Sequence, residues 1–204
     1  MIVAPEWLWL HMPKCAGSET EQILHKCFFQ DDRVRFDPVG PGYPVIWHHT
    51  LKKRSEFDPD FSVNGRRVFC NIRRLPSWIL SRVHFEVQRS GHRAIVTREE
   101  LLAGMFRNPP EPSGATGKLI KADEILGRFK EGVTNWIRTE NLEADLHESF
   151  GTSIKSGSTG SNKNRFGYIR SVKFWFTPPE LESLYEANPV WRDLEIMVYG
   201  DIIQ

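Results

Sequence analysis

The N-terminal part of the chain shows three successive patterns of hydrophobic and polar positions. Residues 7–10 form an apolar run, residues 13–18 are mostly small, and residues 19–29 place apolar side chains at helical spacing. This succession predicts a buried strand, a tight loop and a helix that packs on a sheet. The loop between the strand and the helix is therefore the first candidate for a functional site.

Strands and helices are expected to alternate along the rest of the chain. The pattern predicts strands at residues 33–36, 45–47, 67–72 and 133–139, and helices at residues 76–85, 97–106, 123–129, 140–146 and from 177 onward. The proline-, glycine- or polar-rich residues 37–44, 51–65 and 108–121 are predicted to be connections. This order predicts an α/β fold in which helices flank a central, mainly parallel sheet. No domain boundary is visible, so we expect one domain over residues 1–204.

Residues 13–18 have the composition of an anion-binding loop. Small side chains let successive backbone N–H groups converge on phosphate-like oxygens, and the N-terminus of the following helix adds partial positive charge. Lys14 contributes a full charge and Ser18 a hydroxyl donor. An ordinary strand-to-helix turn with a solvent-facing lysine is the alternative that these residues leave open.

Two adjacent histidines follow the strand predicted at residues 45–47. In open α/β sheets the carboxyl ends of the strands line the ligand crevice, so His48 and His49 are site candidates. Partly buried structural histidines are the alternative.

A second strand-to-helix junction carries an arginine. Arg73 follows the strand predicted at residues 67–72, and Ser81 lies about a turn and a half into a helix that begins near Pro76. Both side chains could reach one anionic group. In the alternative, Arg73 pairs with a carboxylate and Ser81 only packs.

Two further segments combine glycine with basic residues. Residues 151–167, which include Lys163, are typical of a loop that closes over an anionic ligand, or else of a surface linker. Residues 114–118 resemble part of a nucleotide-triphosphate loop. Leu119 stands where that motif has a magnesium-binding Ser or Thr, and Pro112 stands where it has glycine, so we exclude the motif.

The composition restricts the class of protein. The 204 residues include 27 Lys and Arg and 26 Asp and Glu, which gives a formal net charge of +1. This balance argues against a general nucleic-acid or membrane binder, so anion affinity must be local. The 3 cysteines form no Cys-x-x-Cys pair and favour a reducing compartment. The sequence has no basic N-terminal region and no long apolar stretch, so we expect a cytoplasmic protein. An anchor upstream of these residues is the alternative.

The order of these segments resembles that of the sulfotransferases that use 3′-phosphoadenosine-5′-phosphosulfate (PAPS), most closely the carbohydrate type. Residues 11–18, His-Met-Pro-Lys-Cys-Ala-Gly-Ser, resemble that family's 5′-phosphosulfate loop, and residues 71–81 resemble its 3′-phosphate segment. Residues 138–146 are similar to its late strand-to-helix junction, and residues 177–200 to its closing helix and tail. The resemblance covers most of the chain and implies a three-layer, P-loop-like fold.

The resemblance also implies a site for PAPS, whose product is adenosine 3′,5′-bisphosphate. Lys14 would hold the 5′-phosphosulfate and act at the leaving oxygen, together with the loop residues Cys15, Ala16, Gly17, Ser18 and Glu19. Arg73 and Ser81 would hold the 3′-phosphate, and Lys163 would bind from the closing loop. This chemistry requires no metal ion.

The acceptor hydroxyl needs a base, and an imidazole with an ordinary pKa of about 6.5 can take its proton at physiological pH. Residues 47–50, Trp-His-His-Thr, resemble a Lys-His-Ala-Thr segment of related carbohydrate sulfotransferases, which favours His48. The neighbouring His49 and the carboxylates of Glu19 and Glu21 are the alternative candidates for the base.

The sequence departs from the family pattern at both junctions. Arg74 occupies a position where the family often has Asp, and Leu75 adds a residue before Pro76, so that turn must differ. In the first loop, Cys15 and Ala16 replace the more usual Thr, Ser or Gly.

We expect a PAPS-dependent sulfotransferase that acts on a hydroxyl of a carbohydrate or small molecule. A nucleotide-dependent kinase of similar build and a non-catalytic nucleotide-binding protein are the alternatives. Insertions for binding the acceptor must be slight at this length, so the acceptor site is either open or completed by a second copy in a homo-oligomer. The identity of the acceptor stays open.

Overall fold

The computed structural model describes residues 1–38, 46–91, 93–108, 117–151 and 167–204. The strands are β1 (Ile2–Val3), β2 (Trp7–Leu10), β3 (Arg35–Phe36), β4 (Arg67–Ile72), β5 (Met105–Arg107), β6 (Leu119–Lys121) and β7 (Asn135–Arg138). The helices are α1 (Gly17–Phe28), α2 (Leu51–Phe57), α3 (Leu75–Arg89), α4 (Arg98–Leu102), α5 (Ala122–Lys130), α6 (Leu142–Phe150), α7 (Val172–Trp175), α8 (Pro178–Ala187) and α9 (Pro189–Tyr199). The α/β class is confirmed.

The chain divides into two compact units. The first comprises Met1–Ile72 and Arg128–Lys163, and the second comprises Arg73–Gly127 and Asn164–Gln204. The single domain that we expect from the sequence stays a prediction.

The first unit is built on a mixed sheet with the strand order β3-β1-β2-β4-β7. The pairs β2–β4 and β4–β7 are parallel, whereas β1 pairs antiparallel with both β2 and β3. The antiparallel pairing of β1 with β2 follows from the short link between them, in which the Ala4 N–H donates to the Trp7 carbonyl at 2.9 Å. So tight a turn can join only antiparallel strands. The mainly parallel sheet that we expected is thus limited to β2, β4 and β7.

The core of the first unit forms between this sheet and two helices. Alternate residues Trp7 and Trp9 of β2 are buried together with apolar side chains from β4, β7, α1 and α6, namely Phe69, Ile137, Ile23, Leu24, Leu142 and Leu146. Each fully buried side chain of this size contributes on the order of 1.5–3 kcal/mol to folding. The helix predicted after the loop is therefore fixed against the sheet by its apolar face.

The predicted strand at residues 45–47 is wrong within the described residues. Ile46 and Trp47 lie outside any strand, and Val45 lies outside the described residues. The Ile46 carbonyl accepts a hydrogen bond from the Arg54 guanidinium at 3.2 Å, and the Trp47 carbonyl accepts one from the Met1 amino group at 3.0 Å. These carbonyls thus find partners without a strand ladder.

The polar connection predicted at residues 51–65 contains a helix instead. The side chain of Thr50 accepts a hydrogen bond from the Lys53 N–H at 3.3 Å, which caps the N-terminus of α2. Threonine is a favoured N-cap residue because its hydroxyl satisfies a backbone donor of the first turn.

The second unit packs its helices around aromatic side chains. The ring centroid of Trp78 on α3 lies 4.6 Å from that of Trp191 on α9 and 5.8 Å from that of Phe106 on β5. The helices α4 and α8 begin with capping interactions, since the backbone N–H groups of Thr97 and Thr177 donate to Glu100 and Glu180, both at 2.9 Å.

Two predictions of secondary structure in the second unit need correction. The helix predicted at residues 97–106 ends at Leu102, because Gly104 adopts a left-handed φ of 70°. Residues 105–107 then form β5, which pairs antiparallel with β6. The predicted connection at residues 108–121 therefore ends in a strand.

Candidate functional site

The candidate site residues are divided between the two units. The first unit contains the loop and the two histidines, and the second contains Arg73 and Ser81. Lys163 and residues 114–116 lie outside the described residues. The geometry of the site is therefore described within each unit.

The loop between β2 and α1 has an unusual backbone. Lys14 has a φ of 67° and Ala16 a φ of 56°, both in the left-handed region that residues with a side chain seldom adopt. Each costs about 1–2 kcal/mol relative to the right-handed region. The left-handed Ala16 directly precedes the helical Gly17, and such an alternation curves successive N–H groups toward one point. This geometry suits an anion.

The carbonyl of Ala16 is held by three donors. The N–H groups of Glu19 and Thr20 each donate to it at 3.0 Å, and the Thr20 hydroxyl donates to it at 3.1 Å. The backbone N–H of Glu19 is thus part of the first helical turn. Its carboxylate lies where it offsets the positive end of the helix.

His11 packs directly against this loop. A Cβ atom built on Gly17 would lie 2.0 Å from the Cδ2 and Nε2 atoms of the His11 ring, so only glycine fits at position 17. His11 is 8% exposed, and its Nδ1 atom has no hydrogen-bond partner among the described residues. Burial, and secondly the neighbouring His48, hold the pKa of His11 well below its ordinary value. His11 is therefore neutral at physiological pH.

His48 is oriented by the backbone of His11. Its Nδ1 atom lies 2.8 Å from the His11 carbonyl oxygen, and the two rings meet edge to face with centroids 4.5 Å apart. A carbonyl oxygen only accepts hydrogen bonds, so Nδ1 carries the proton of the neutral ring and Nε2 is the basic nitrogen. A histidine held in this way is suited to take a proton through Nε2.

His49 lies in different surroundings. Its ring packs edge-on against Phe57 of α2, with centroids 5.5 Å apart. Burial, and secondly the charge of Arg54, lower the pKa of His49. The structure thus brings His48, and not His49, against the carbonyl that precedes the loop. Of the carboxylates considered as bases, Glu21 has a pKa that burial raises.

In the second unit, Arg73 and Arg74 both contact α9, Arg73 through its backbone and Arg74 through its side chain. The carbonyl of Arg73 accepts a hydrogen bond from the indole of Trp191 at 3.1 Å. The guanidinium of Arg74 donates to Glu195 at 3.2 Å and stacks on Tyr199 at 4.0 Å. The Arg74 side chain thus helps to hold α9 in place.

The helix that follows these arginines begins on a buried carboxylate. Glu195, which is fully buried, accepts hydrogen bonds from the Leu75 N–H at 2.8 Å and the Tyr185 hydroxyl at 2.7 Å. This carboxylate holds the first turn of α3, and Ser81 lies further along the same helix with 7% of its surface exposed.

Sequence reasoning missed three residues that lie near the loop. His11 is one residue of the motif at 11–18, and nothing local in the sequence distinguishes it. Asn71 is a polar residue within the apolar run at residues 67–72, which is a signal that could have identified it. Thr20 is also fully buried, but it lies among polar residues in the sequence and carries no such signal.

Comparison of the chain with protein-family models, with curated proteins and with solved structures finds no match. Within the described ranges, none of the helices combines the length and the hydrophobicity needed to cross a membrane. The same residues contain no group of three or more His, Cys, Asp or Glu side chains placed to hold a metal ion.

Proposed function

We propose that this protein is a PAPS-dependent sulfotransferase that transfers a sulfuryl group to a hydroxyl of a carbohydrate or small molecule. The observation that carries the proposal is the junction of β2 and α1, where an anion-binding backbone adjoins an oriented histidine. The resemblance of the motifs supplies the identity of the anion. A three-layer, P-loop-like fold is part of the proposal, and the parallel strands β2, β4 and β7 support it.

The loop residues fit a phosphosulfate group. The N-terminus of α1 supplies partial positive charge, and Lys14 supplies a full charge at the start of the loop. The glycine at position 17 lets the His11 ring pack against the loop, where any Cβ would overlap it. By the resemblance, Arg73 and Ser81 bind the 3′-phosphate, and Cys15, Ala16, Ser18, Glu19 and Lys163 contribute to the nucleotide site.

His48 acts as the general base in this proposal. Its Nε2 atom takes the proton of the acceptor hydroxyl, while the Nδ1–H stays on the His11 carbonyl and the charged ring is stabilised there. PAPS supplies the sulfuryl group, since its sulfur–oxygen bond to the 5′-phosphate breaks as a bond from sulfur to the acceptor oxygen forms. Lys14 stabilises the negative charge that develops on the leaving phosphate oxygen.

Calorimetric titration with adenosine 3′,5′-bisphosphate tests the proposal. The parent protein should bind the bisphosphate more tightly than ATP, and Lys14→Ala and Arg73→Ala should each weaken binding by roughly 10-fold or more. Lys26→Ala, in the last turn of α1, serves as the control and should bind like the parent.

Three results would contradict the proposal in different ways. Parent-like binding by both Lys14→Ala and Arg73→Ala would refute the site. Preference for ATP would favour a kinase. Bisphosphate binding without any sulfuryl transfer from PAPS across a panel of carbohydrate and phenolic acceptors would favour a non-catalytic nucleotide-binding protein.

A further inference from the structure

Three buried side chains connect the sheet to the loop by hydrogen bonds. The Trp9 indole N–H donates to Asn71 Oδ1 at 2.7 Å, and the Asn71 amide donates to Thr20 Oγ1 at 2.8 Å. The Thr20 hydroxyl donates to the Ala16 carbonyl at 3.1 Å. We call this series, Trp9-Asn71-Thr20-Ala16, the buried relay. It joins β2, β4 and α1 to the last residue before the helix.

The two ends of the buried relay fix the direction of every hydrogen in it. The indole N–H of Trp9 can only donate, so the Asn71 atom that faces it must be the oxygen. The Asn71 NH₂ group therefore donates to Thr20, and the hydroxyl hydrogen of Thr20 points to the Ala16 carbonyl, which can only accept. Trp9 is 1% exposed, and Asn71 and Thr20 are fully buried, so water does not compete for these bonds.

The buried relay ends on the peptide group that precedes α1. This peptide is trans and planar, so its C=O and N–H groups point in opposite directions. The Ala16 carbonyl points into α1, where it accepts from Glu19 and Thr20. The Gly17 N–H consequently points out of the N-terminus of the helix, in the direction from which an anion would approach.

We propose that Thr20 and Asn71 are positioning residues for the anion-binding loop. They hold the Ala16–Gly17 peptide so that the Gly17 N–H is aimed at the 5′-phosphosulfate before it binds. Without the Thr20 hydroxyl, the left-handed Ala16 loses one of the three donors that hold its carbonyl in place. This inference rests on the proposed function, because it assigns the loop to a phosphosulfate.

A set of threonine substitutions tests the inference in the full chain. Thr20→Val keeps the shape of the side chain but removes the hydroxyl, and Thr20→Ser keeps the hydroxyl. Thr134→Val is the matched control, because the Thr134 hydroxyl also bonds within the first unit, accepting from the Val68 N–H at 2.9 Å. Each variant is titrated with adenosine 3′,5′-bisphosphate, and the amide signal of Gly17 is followed by NMR.

We expect Thr20→Val to weaken bisphosphate binding by about 3- to 10-fold and to reduce the shift of the Gly17 amide signal on binding. Thr20→Ser should restore both, and Thr134→Val should bind like the parent even though it is less stable. Equal affinity of parent and Thr20→Val would overturn the inference while leaving the proposed function intact. Equal weakening in Thr20→Val and Thr134→Val would also overturn it, since stability alone would then explain the loss. A parent that does not bind the bisphosphate refutes the proposed function itself.

Discussion

The Nδ1 atom of His48 lies 2.8 Å from the backbone carbonyl oxygen of His11, which precedes the loop between β2 and α1. The His11 carbonyl thereby fixes the tautomer of His48, the proposed general base. His49, the next residue in the chain, packs against Phe57 instead. The two neighbouring histidines are thus distinguished by their contacts.

Replacing each histidine with alanine should separate their roles. His48→Ala should lower the rate of sulfuryl transfer by roughly 10²- to 10⁴-fold, as expected for loss of a general base, with bisphosphate binding retained. His49→Ala, the control, should keep most of the activity. The measurement is the release of bisphosphate from PAPS in the presence of an acceptor panel. If His49→Ala loses turnover and His48→Ala does not, the assignment of the base is reversed.

Gly17→Ala should disrupt the loop, because its Cβ would overlap the buried ring of His11. We expect a loss of about 1–3 kcal/mol in the free energy of unfolding, together with weaker bisphosphate binding. Urea denaturation and calorimetry measure the two effects.

Gly127→Ala provides the matched control for this substitution. Gly127 lies in α5, and a Cβ added there meets no described atom within 4 Å. This variant should gain about 0.5–1 kcal/mol, because alanine favours the helix over glycine. Parent-like stability and affinity of Gly17→Ala would show that His11 does not occupy this space.

The first unit should become less stable as the pH falls from 7 to 5. The pKa of His11 is lowered by burial, so the unfolded chain takes up a proton on this ring near pH 6.5 while the folded chain does not. Because the unfolded state binds more protons in this range, the free energy of unfolding falls with falling pH, by up to about 1.4 kcal/mol per pH unit for this group.

Urea denaturation at pH 7, 6 and 5 measures this slope, and His11→Phe provides the comparison. Phenylalanine fills a similar space but does not titrate, so the slope of this variant should be smaller. The pKa of His49 is also lowered, and it contributes equally to both proteins. Identical slopes would mean that His11 takes up its proton normally in the folded protein.

Much of the sheet could be predicted from local patterns. The apolar run at residues 67–72 corresponds to β4, and the helix expected near Pro76 begins at Leu75. β1 could not be predicted, because two residues have no periodicity and become a strand only through pairing with β2 and β3. At residues 46–47 an apolar pattern predicts a strand that does not form. The carbonyls of Ile46 and Trp47 instead accept hydrogen bonds from Arg54 and Met1.

The loop of the candidate site could be predicted from the sequence, but the contacts that hold the loop could not. Small residues around one lysine predict a loop, and a strand before it predicts where the loop begins. The contact of His11 with Gly17 depends on a turn that brings the ring back over the loop. The hydrogen bond from Asn71 to Thr20 joins residues far apart in the chain, so no local pattern encodes it.

The left-handed backbone at Lys14 and Ala16 limits which other sequences can build this loop. Glycine and asparagine tolerate such a conformation, whereas valine, isoleucine and threonine crowd the backbone there. Cys15 lies between them and does not have a positive φ, so the backbone at position 15 permits β-branched residues. Divergent sequences that keep the loop should therefore vary in an alternating manner, with unbranched residues at positions 14 and 16 and wider choice at position 15.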